Sequence, residues 1–356
     1  MANKPKLLIC ELWGIGDLTL ATALVDKACA QFEVHLLAKP HARELLAATY
    51  PDIVFHDYIA PWTAHYRKYH LWNWHWAKLI KIIAELRREQ FDAAISVRPD
   101  PRDHFLMWLS GARLRIRFPV KGSGFFLHKK QHEPAEKWHR VESYREIGKQ
   151  LGIAGVAEAH PRIDGAKYRS QRIEEILNTL VKPIVTVHLG AGQPVRRWPQ
   201  EYWKQILEQM RQEFDFQLVL VADQDGFGES LRAISDLFID KLNVSELVNL
   251  VARSKVVLCH DSGPMHVAAA CGVPTIALFG PGETRWFRPW GDKHQIVIRD
   301  ICPYRPCFDF CRFSENYCLT RLAPAEAWPE IEAHFEGIIA SQRLGKSTIQ
   351  SNVLEP

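Results

Sequence analysis

One pattern limits what this chain can fold into, and it occurs twice. A short apolar run, Lys6 to Leu12, ends in Gly14-Ile15-Gly16-Asp17 and passes into Leu18-Thr19-Leu20-Ala21-Thr22-Ala23-Leu24-Val25. That reads as strand, glycine turn, helix. After residue 180 it restarts: Pro183 to Leu189 is a strand, Gly190-Ala191-Gly192 a turn, and Pro199 to Phe214 a helix. Further strands are predicted at Glu33–Ala38, Phe91–Val97, Phe216–Ala222, Val256–Cys259 and Thr275–Phe279. Helices are predicted at 45–48, 77–89, 245–253, 264–271 and 325–342. Apolar strands alternating with helices mean parallel sheets covered on both faces.

The expected fold class is therefore α/β, with two doubly wound units. The expected boundaries are 1–172 for the first domain, 173–335 for the second, and 336–356 for a helix end and tail. A length of 356 residues agrees with about two domains. A 47% apolar and 24% charged composition excludes a disordered chain, a fibre and a small disulfide scaffold. The net charge of +4 does not by itself call for nucleic acid, and no nucleic-acid module is recognised. The longest apolar stretch, Pro264 to Gly282, is broken by Gly272 and Pro274, and the N-terminal run is cut by Glu11. Neither a membrane span nor a secretory leader is expected, and the expected compartment is the cytosol.

Two facing units place a cleft at the carboxyl ends of their sheets, where ligands of open parallel sheets bind. The dinucleotide pattern Gly-x-Gly-x-x-Gly fails, because Thr19 stands where the third glycine belongs. What stands there is an acid, Asp17, at a helix mouth; taken alone, it reads as a helix cap. In the second half, Asp261-Ser262-Gly263-Pro264-Met265-His266 follows a strand. Pro264 suits a first helical turn, and backbone N–H groups at that helix start can hold a diphosphate. Gly190-Ala191-Gly192, then Arg196-Arg197-Trp198-Pro199, add close backbone approach and forked cationic donors.

Gly-x-Gly-Asp, Arg-Arg-Trp-Pro and Asp-Ser-Gly-x-x-His-x-Ala-Ala-Ala, in this order, resemble the ADP-heptose:lipopolysaccharide heptosyltransferases, glycosyltransferase family 9. The resemblance covers Lys6 to about Trp290. It implies the GT-B architecture of two Rossmann-like domains and transfer with inversion, with no cofactor or metal for catalysis. It implies Asp17 as general base and Arg196 as the cation on the leaving diphosphate, with Arg197 its alternate. Gly14, Gly16, Gly190, Ala191, Gly192, Arg197, Asp261, Ser262, Gly263 and His266 become the substrate-binding set. The donor is then a nucleotide sugar, ADP-heptose. Its nucleoside is expected along Ala222 to Asp225 and Lys241 to Ser245. The terminal helix is expected to cross back to the first domain.

Two further features stand out. Cys302, Cys307, Cys311 and Cys318 fall within seventeen residues, and four thiolates suit a tetrahedral iron or zinc site. One branch of the resembled family carries a cysteine-bound iron; the expected site is structural and far from the reacting atoms. Free thiols and two disulfides stay open as alternatives. Secondly, Pro61 to Trp76 holds Trp62, His65, Tyr66, Tyr69, His70, Trp72, Trp74, His75 and Trp76, and Arg113 to Lys130 holds six cations and no acid. Core packing and a solvated face explain them, and so does a site for an anionic glycolipid acceptor with membrane-surface contact at the inner face. The competing functions are a GT-B transferase with another sugar nucleotide or with a protein or small-molecule acceptor, and a metal-stabilised interaction protein.

Overall fold

The structure, a computed structural model, describes residues 4–63, 72, 74–130, 138–222, 225–308 and 310–339. The expected tail, and Tyr66, Tyr69, His65 and His70 of the aromatic stretch, lie outside the described residues, as do residues 223–224.

The first domain runs β1 (Lys6–Glu11), α1 (Ile15–Gln31), β2 (Glu33–Ala38), α2 (His41–Leu46), β3 (Val54–Asp57), α3 (Trp76–Glu89), β4 (Ala93–Ser96), α4 (Pro101–Leu109), β5 (Leu114–Arg117), β6 (Lys129–Lys130) and α5 (Arg140–Gln150). Its sheet has the order β3-β2-β1-β4-β5-β6, all parallel. The second domain repeats the plan. It runs α6 (Gln171–Leu177), β7 (Ile184–His188), α7 (Gln200–Glu213), β8 (Gln217–Val221), β9 (Leu237–Ile239), α8 (Val244–Arg253), β10 (Val256–His260), α9 (Gly263–Ala270), β11 (Thr275–Phe279), α10 (Thr284–Phe287), β12 (His294–Ile298), α11 (Tyr317–Thr320) and α12 (Pro324–Ile339). Its order, β12-β11-β10-β7-β8-β9, is again the doubly wound order. In each sheet the order reverses between the first and fourth strands. The turns after β1, β4, β7 and β10 therefore open at the switch points.

β10 and β11 are buried end to end and β1 from Leu7 onward, as parallel strands covered on both faces must be. α1 buries Leu18 to Val25 and Ala28 in a core shared with α5 and β1. α6 spans the expected domain boundary, and its Ile173 and Leu177 pack with Ile184 and Val219 of the second sheet. The described part of α12 does not cross to the first domain. Its Ile331, Phe335 and Ile339 join the second core, with Phe335 edge-on to Phe214 and Phe216. An apolar stripe with a matching groove beside α7 and β12 fixes it there.

The two domains touch where α1 meets α9. The contact is backbone-close at two glycines. A Cβ on Gly16 would stand 2.8 Å from His266 Cδ2, and one on Gly263 would fall inside Ile15 Cγ2. Only residues without side chains let the two helix starts approach this closely. Gly263→Val should therefore lower stability by about 1–3 kcal/mol through overpacking. Ile15→Ala in the same chain should recover most of it, since it removes the opposing methyl. Thermal melts of the two single variants and the double variant check this; independent, additive effects would mean that the residues do not meet.

Candidate active site

A cavity of about 550 Å³ opens between the domains. It is lined by Gly190, Ala191, Gly192, Arg197, Ser262, Gly263 and Pro264, with Ile15 from the first domain. Ala222, Asp225 and Lys241 to Val244 line it as well, so the two segments expected along the nucleoside share one wall. Of the expected binding set, Gly190, Ala191, Gly192, Arg197, Ser262 and Gly263 reach this space. Gly14 is the residue before α1, and Gly16 and His266 sit at the α1–α9 contact instead.

The start of α9 is built as an anion seat. Ser262 is the N-cap residue, yet its hydroxyl donates to the His260 carbonyl at 3.2 Å and caps nothing. Pro264 has no N–H and the Met265 N–H donates to the Ser262 carbonyl at 3.2 Å, while the Gly263 N–H, at the positive end of the helix, has no side-chain acceptor among the described residues. The arginine segment is held from below. The backbone N–H of Trp198 donates to His260 Nε2 at 2.8 Å, and Trp203 Nε1–H donates to the same atom at 3.1 Å. Trp198 Nε1–H donates to the Leu322 carbonyl at 2.8 Å. Trp198 and Trp203 are fully buried, so the Trp-Pro pair is an anchor for the arginines before it. Arg197 bonds Asp225 at 2.6 Å and lies over the Phe227 ring. Arg196 turns the other way, with Nη1 at 3.4 Å from the Asp261 carbonyl oxygen and 3.7 Å from its carboxylate. Asp261 thus orients an arginine beside the seat and is not itself on the cavity wall.

Asp17 stands in the first turn of α1, whose N-cap is Gly14, so it is not the capping residue. Its Oδ2 meets Arg98 Nε at 3.4 Å, and its buried Oδ1 has no hydrogen-bond partner among the described residues. Sequence reasoning missed the company it keeps. Arg98 follows β4 and stacks over Trp13 at 4.6 Å. Glu11, inside β1, accepts the Trp13 and Gly14 N–H groups at 2.7 and 3.2 Å. Burial first, then the neighbouring Asp17 charge, hold the Glu11 carboxyl well above the usual carboxylate range. Burial and the nearby Asp100 push Asp103 up to about 7, although it accepts from the Trp13 and Trp62 indoles. One signal was available: Glu11 is an acid inside an otherwise apolar strand, an expensive placement unless the charge is managed.

The cysteine loop braces the arginine segment through Asn316, and none of its four cysteines lines the cavity. Asn316 Nδ2 donates to the Pro194 and Arg197 carbonyls at 3.0 and 3.1 Å, and the Cys307 N–H donates to the Pro281 carbonyl. All four cysteines are free thiols, and Cys318 is buried in the second core. Burial pushes the Cys318 thiol up to about 11. Among the described residues, no three of these sulfurs lie within 4.8 Å of one another; the one such ligand group is Glu33, His35 and Glu89.

Two Rossmann-like domains facing a cleft, with an anion seat on one side and a carboxylate on the other, define the GT-B class. The profile of glycosyltransferase family 9 (heptosyltransferase) matches residues 79–317, and the chain belongs to that family. Lipooligosaccharide heptosyltransferase 2 of Haemophilus influenzae is 32% identical over 126 residues, which span 33% of this chain and 36% of that protein. The alignment thus covers about a third of that relative. The solved structure of E. coli ADP-heptose LPS heptosyltransferase II superposes with a TM-score of 0.70 at 20% identity, over 94% of this chain and 99% of that one. TibC, an iron-containing dodecameric glycosyltransferase from enterotoxigenic E. coli, gives 0.56 at 16% identity, over 94% and 77%.

Burial holds the histidines behind the site neutral: His260 and His266 are lowered to about 3, and His104, His139 and His294 to about 4. Their folded-state values lie below the unfolded value near 6.5, so the unfolded chain takes up protons first as pH falls. Stability should be level in these groups above about pH 7 and fall from pH 6.5 toward 4, by up to about 1.4 kcal/mol per pH unit for each of them. Melting temperatures from pH 8 to 4.5 check this; a flat profile would contradict it.

Proposed function

We propose that the chain is an inverting glycosyltransferase that moves heptose from ADP-heptose to an acceptor hydroxyl in lipopolysaccharide core assembly. The observation that carries it is the cavity that brings the α9 anion seat, the glycine turn and Arg197 against Ile15 of α1, two residues before Asp17. The choice of donor rests on the names of the relatives. The acceptor hydroxyl gives its proton to Asp17, and its oxygen attacks the anomeric carbon from the face opposite the leaving group. The bond to the diphosphate breaks, and its electron pair stays on the phosphate oxygen. Backbone donors at the start of α9 and the Arg197 guanidinium meet the charge as it grows, with Arg196 beside them at Asp261 as a second cation. Fixed donors need no reorganisation, so they favour the transition state over the bound donor. Glu11, whose carboxyl burial raises well above the usual range, fastens the Trp13–Gly14 turn by accepting both N–H groups.

The acceptor in this reading is an anionic glycolipid met at the cytosolic face of the inner membrane, with no nucleic-acid partner. The four cysteines supply thiolates of the right kind for a structural iron or zinc ion. Zn–S bonds near 2.3 Å would draw sulfurs closer than this loop holds them, so loading would contract it. Catalysis calls on no cofactor.

Asp17→Asn should keep ADP-heptose binding and lower transfer by about 10²–10⁴-fold, because only proton removal is lost. Calorimetry with release of ADP separates the two effects; near-normal transfer would reduce Asp17 to a helix-start residue. Arg196→Ala and Arg197→Ala should each weaken binding and slow turnover, turnover more so. Small, equal effects would mark them as surface groups. Cys307→Ser should weaken donor binding through the loosened Asn316–Arg197 contact and abolish any metal found by elemental analysis of the purified chain. Full donor affinity and no metal in either protein would leave plain thiols.

A further inference from the structure

Large apolar side chains stand exposed on two neighbouring helices of the first domain and on the Ser123–Phe126 turn. Trp76 and Ile80, one turn apart on α3, are 47% and 65% exposed. Phe105 and Trp108, one turn apart on the neighbouring α4, are 41% and 43% exposed, and Phe125 is 82% exposed. The last three form one stack through Phe126. Phe105 lies 5.8 Å from Trp108 and 5.4 Å from Phe126, Trp108 lies 5.9 Å from Phe126, and Phe125 lies 5.7 Å from Phe126, between ring centres. The i,i+4 and i,i+3 spacings aim each helical pair outward on one face. α3 packs on α4 through its other side, where Ile82 and Leu86 join Leu106 and Met107 in a separate core.

Cations predominate around these rings, and Glu85 of α3 is engaged by His56 at 2.6 Å. Residues 111–130 contain no acid, and Arg113, Lys121 and Lys129 are exposed there. Lys78 and Lys81 are exposed on α3 between and beside the two apolar residues. The acids at hand are engaged: Asp92 pairs with Arg113, Asp100 holds Arg102 at 2.7 Å, and Asp103 is buried. Exposed aromatic rings among an excess of cations are costly in plain water and favourable at an anionic lipid surface. Rings enter the headgroup layer there, and cations meet the negative surface potential. No helix of the described residues is long and apolar enough to cross a bilayer, so contact would be with the surface.

We propose that the α3–α4 face, with the Ser123–Phe126 turn, docks on a bilayer containing anionic lipids. This rests on the reading above for its biological setting and names the surface that places the chain at the membrane. His104 of α4 meets Ser123 at 2.8 Å, which joins the docking turn rigidly to the helix that starts beside Arg98 and Asp100. Docking would therefore present the acceptor side of the cleft to the lipid plane.

The test is sedimentation of the full chain with vesicles, with neither donor nor acceptor present, so that its result is independent of catalysis. Vesicles of phosphatidylethanolamine with phosphatidylglycerol are compared with phosphatidylcholine alone. Binding is expected on the anionic vesicles, falling as salt rises. Phe125→Ser and the pair Lys121→Glu with Lys129→Glu should each weaken it about tenfold or more. These positions are exposed, and unchanged ADP-heptose affinity and circular dichroism verify that the variants fold. No binding to the anionic vesicles, or binding that these variants leave intact, overturns the proposal. So does a dimer in size-exclusion chromatography that the same substitutions dissolve, which would make the face a contact between copies.

Discussion

The site depends on the approach of two helix starts, and that approach depends on two missing side chains. α1 begins at the switch point of one sheet and α9 at that of the other. Gly16 faces His266, and Gly263 faces Ile15, at distances that a Cβ would forbid. This contact brings the first turn of α1, with Asp17, alongside the first turn of α9, with its uncapped Gly263 N–H. A wider gap would leave a carboxylate on one domain and an anion seat on the other with no shared space. Both glycines appeared in the sequence as ligand contacts; their packing role needed the fold, because residues about 250 apart in the chain meet here.

The charges around this contact are handled by burial and by pairing in different places. On the first domain, Glu11, Asp17, Asp103 and Arg98 crowd together; burial and the Asp17 charge raise the Glu11 carboxyl well above the usual carboxylate range, and Arg98 answers Asp17. On the second, the arginines stand on a neutral foundation. His260 accepts from Trp198 and Trp203 at one nitrogen, and burial keeps it uncharged. A charged imidazole there would repel Arg196 and Arg197 and could not accept either bond. The cysteine loop adds a second brace through Asn316, which donates to the Pro194 and Arg197 carbonyls.

Much of this was legible in the chain. Apolar runs ending in glycine turns gave both domains, and β2 and β11 end where the pattern placed them. Short or polar elements were not legible. β5 reads Leu-Arg-Ile-Arg, and its Arg117 is wholly buried against the Val97 carbonyl and Ser143, a placement no local pattern announces. β6 is two lysines, and β12 opens with polar residues; both are edge strands that need little apolar surface. The motif residues were found, but their division of labour was not. The sequence shows Arg196 and Arg197 as neighbours, whereas the 3-10 turn Pro194–Arg196 sends one toward Asp261 and the other to the cavity. Arg98 and Glu11 carry no motif at all. They become part of the site only when β1 and β4 pair as neighbours.

The central claim is that the space between α1 and α9 holds a nucleoside diphosphate sugar by its diphosphate. A crystal structure of the chain with ADP tests it most directly. The account predicts the diphosphate at the start of α9, within hydrogen-bond reach of the Gly263 N–H and an arginine of the Arg196–Arg197 pair, with the nucleoside along Ala222 and Lys241 to Val244. Nucleotide bound elsewhere, or none bound in a cavity that stays as described, would contradict it.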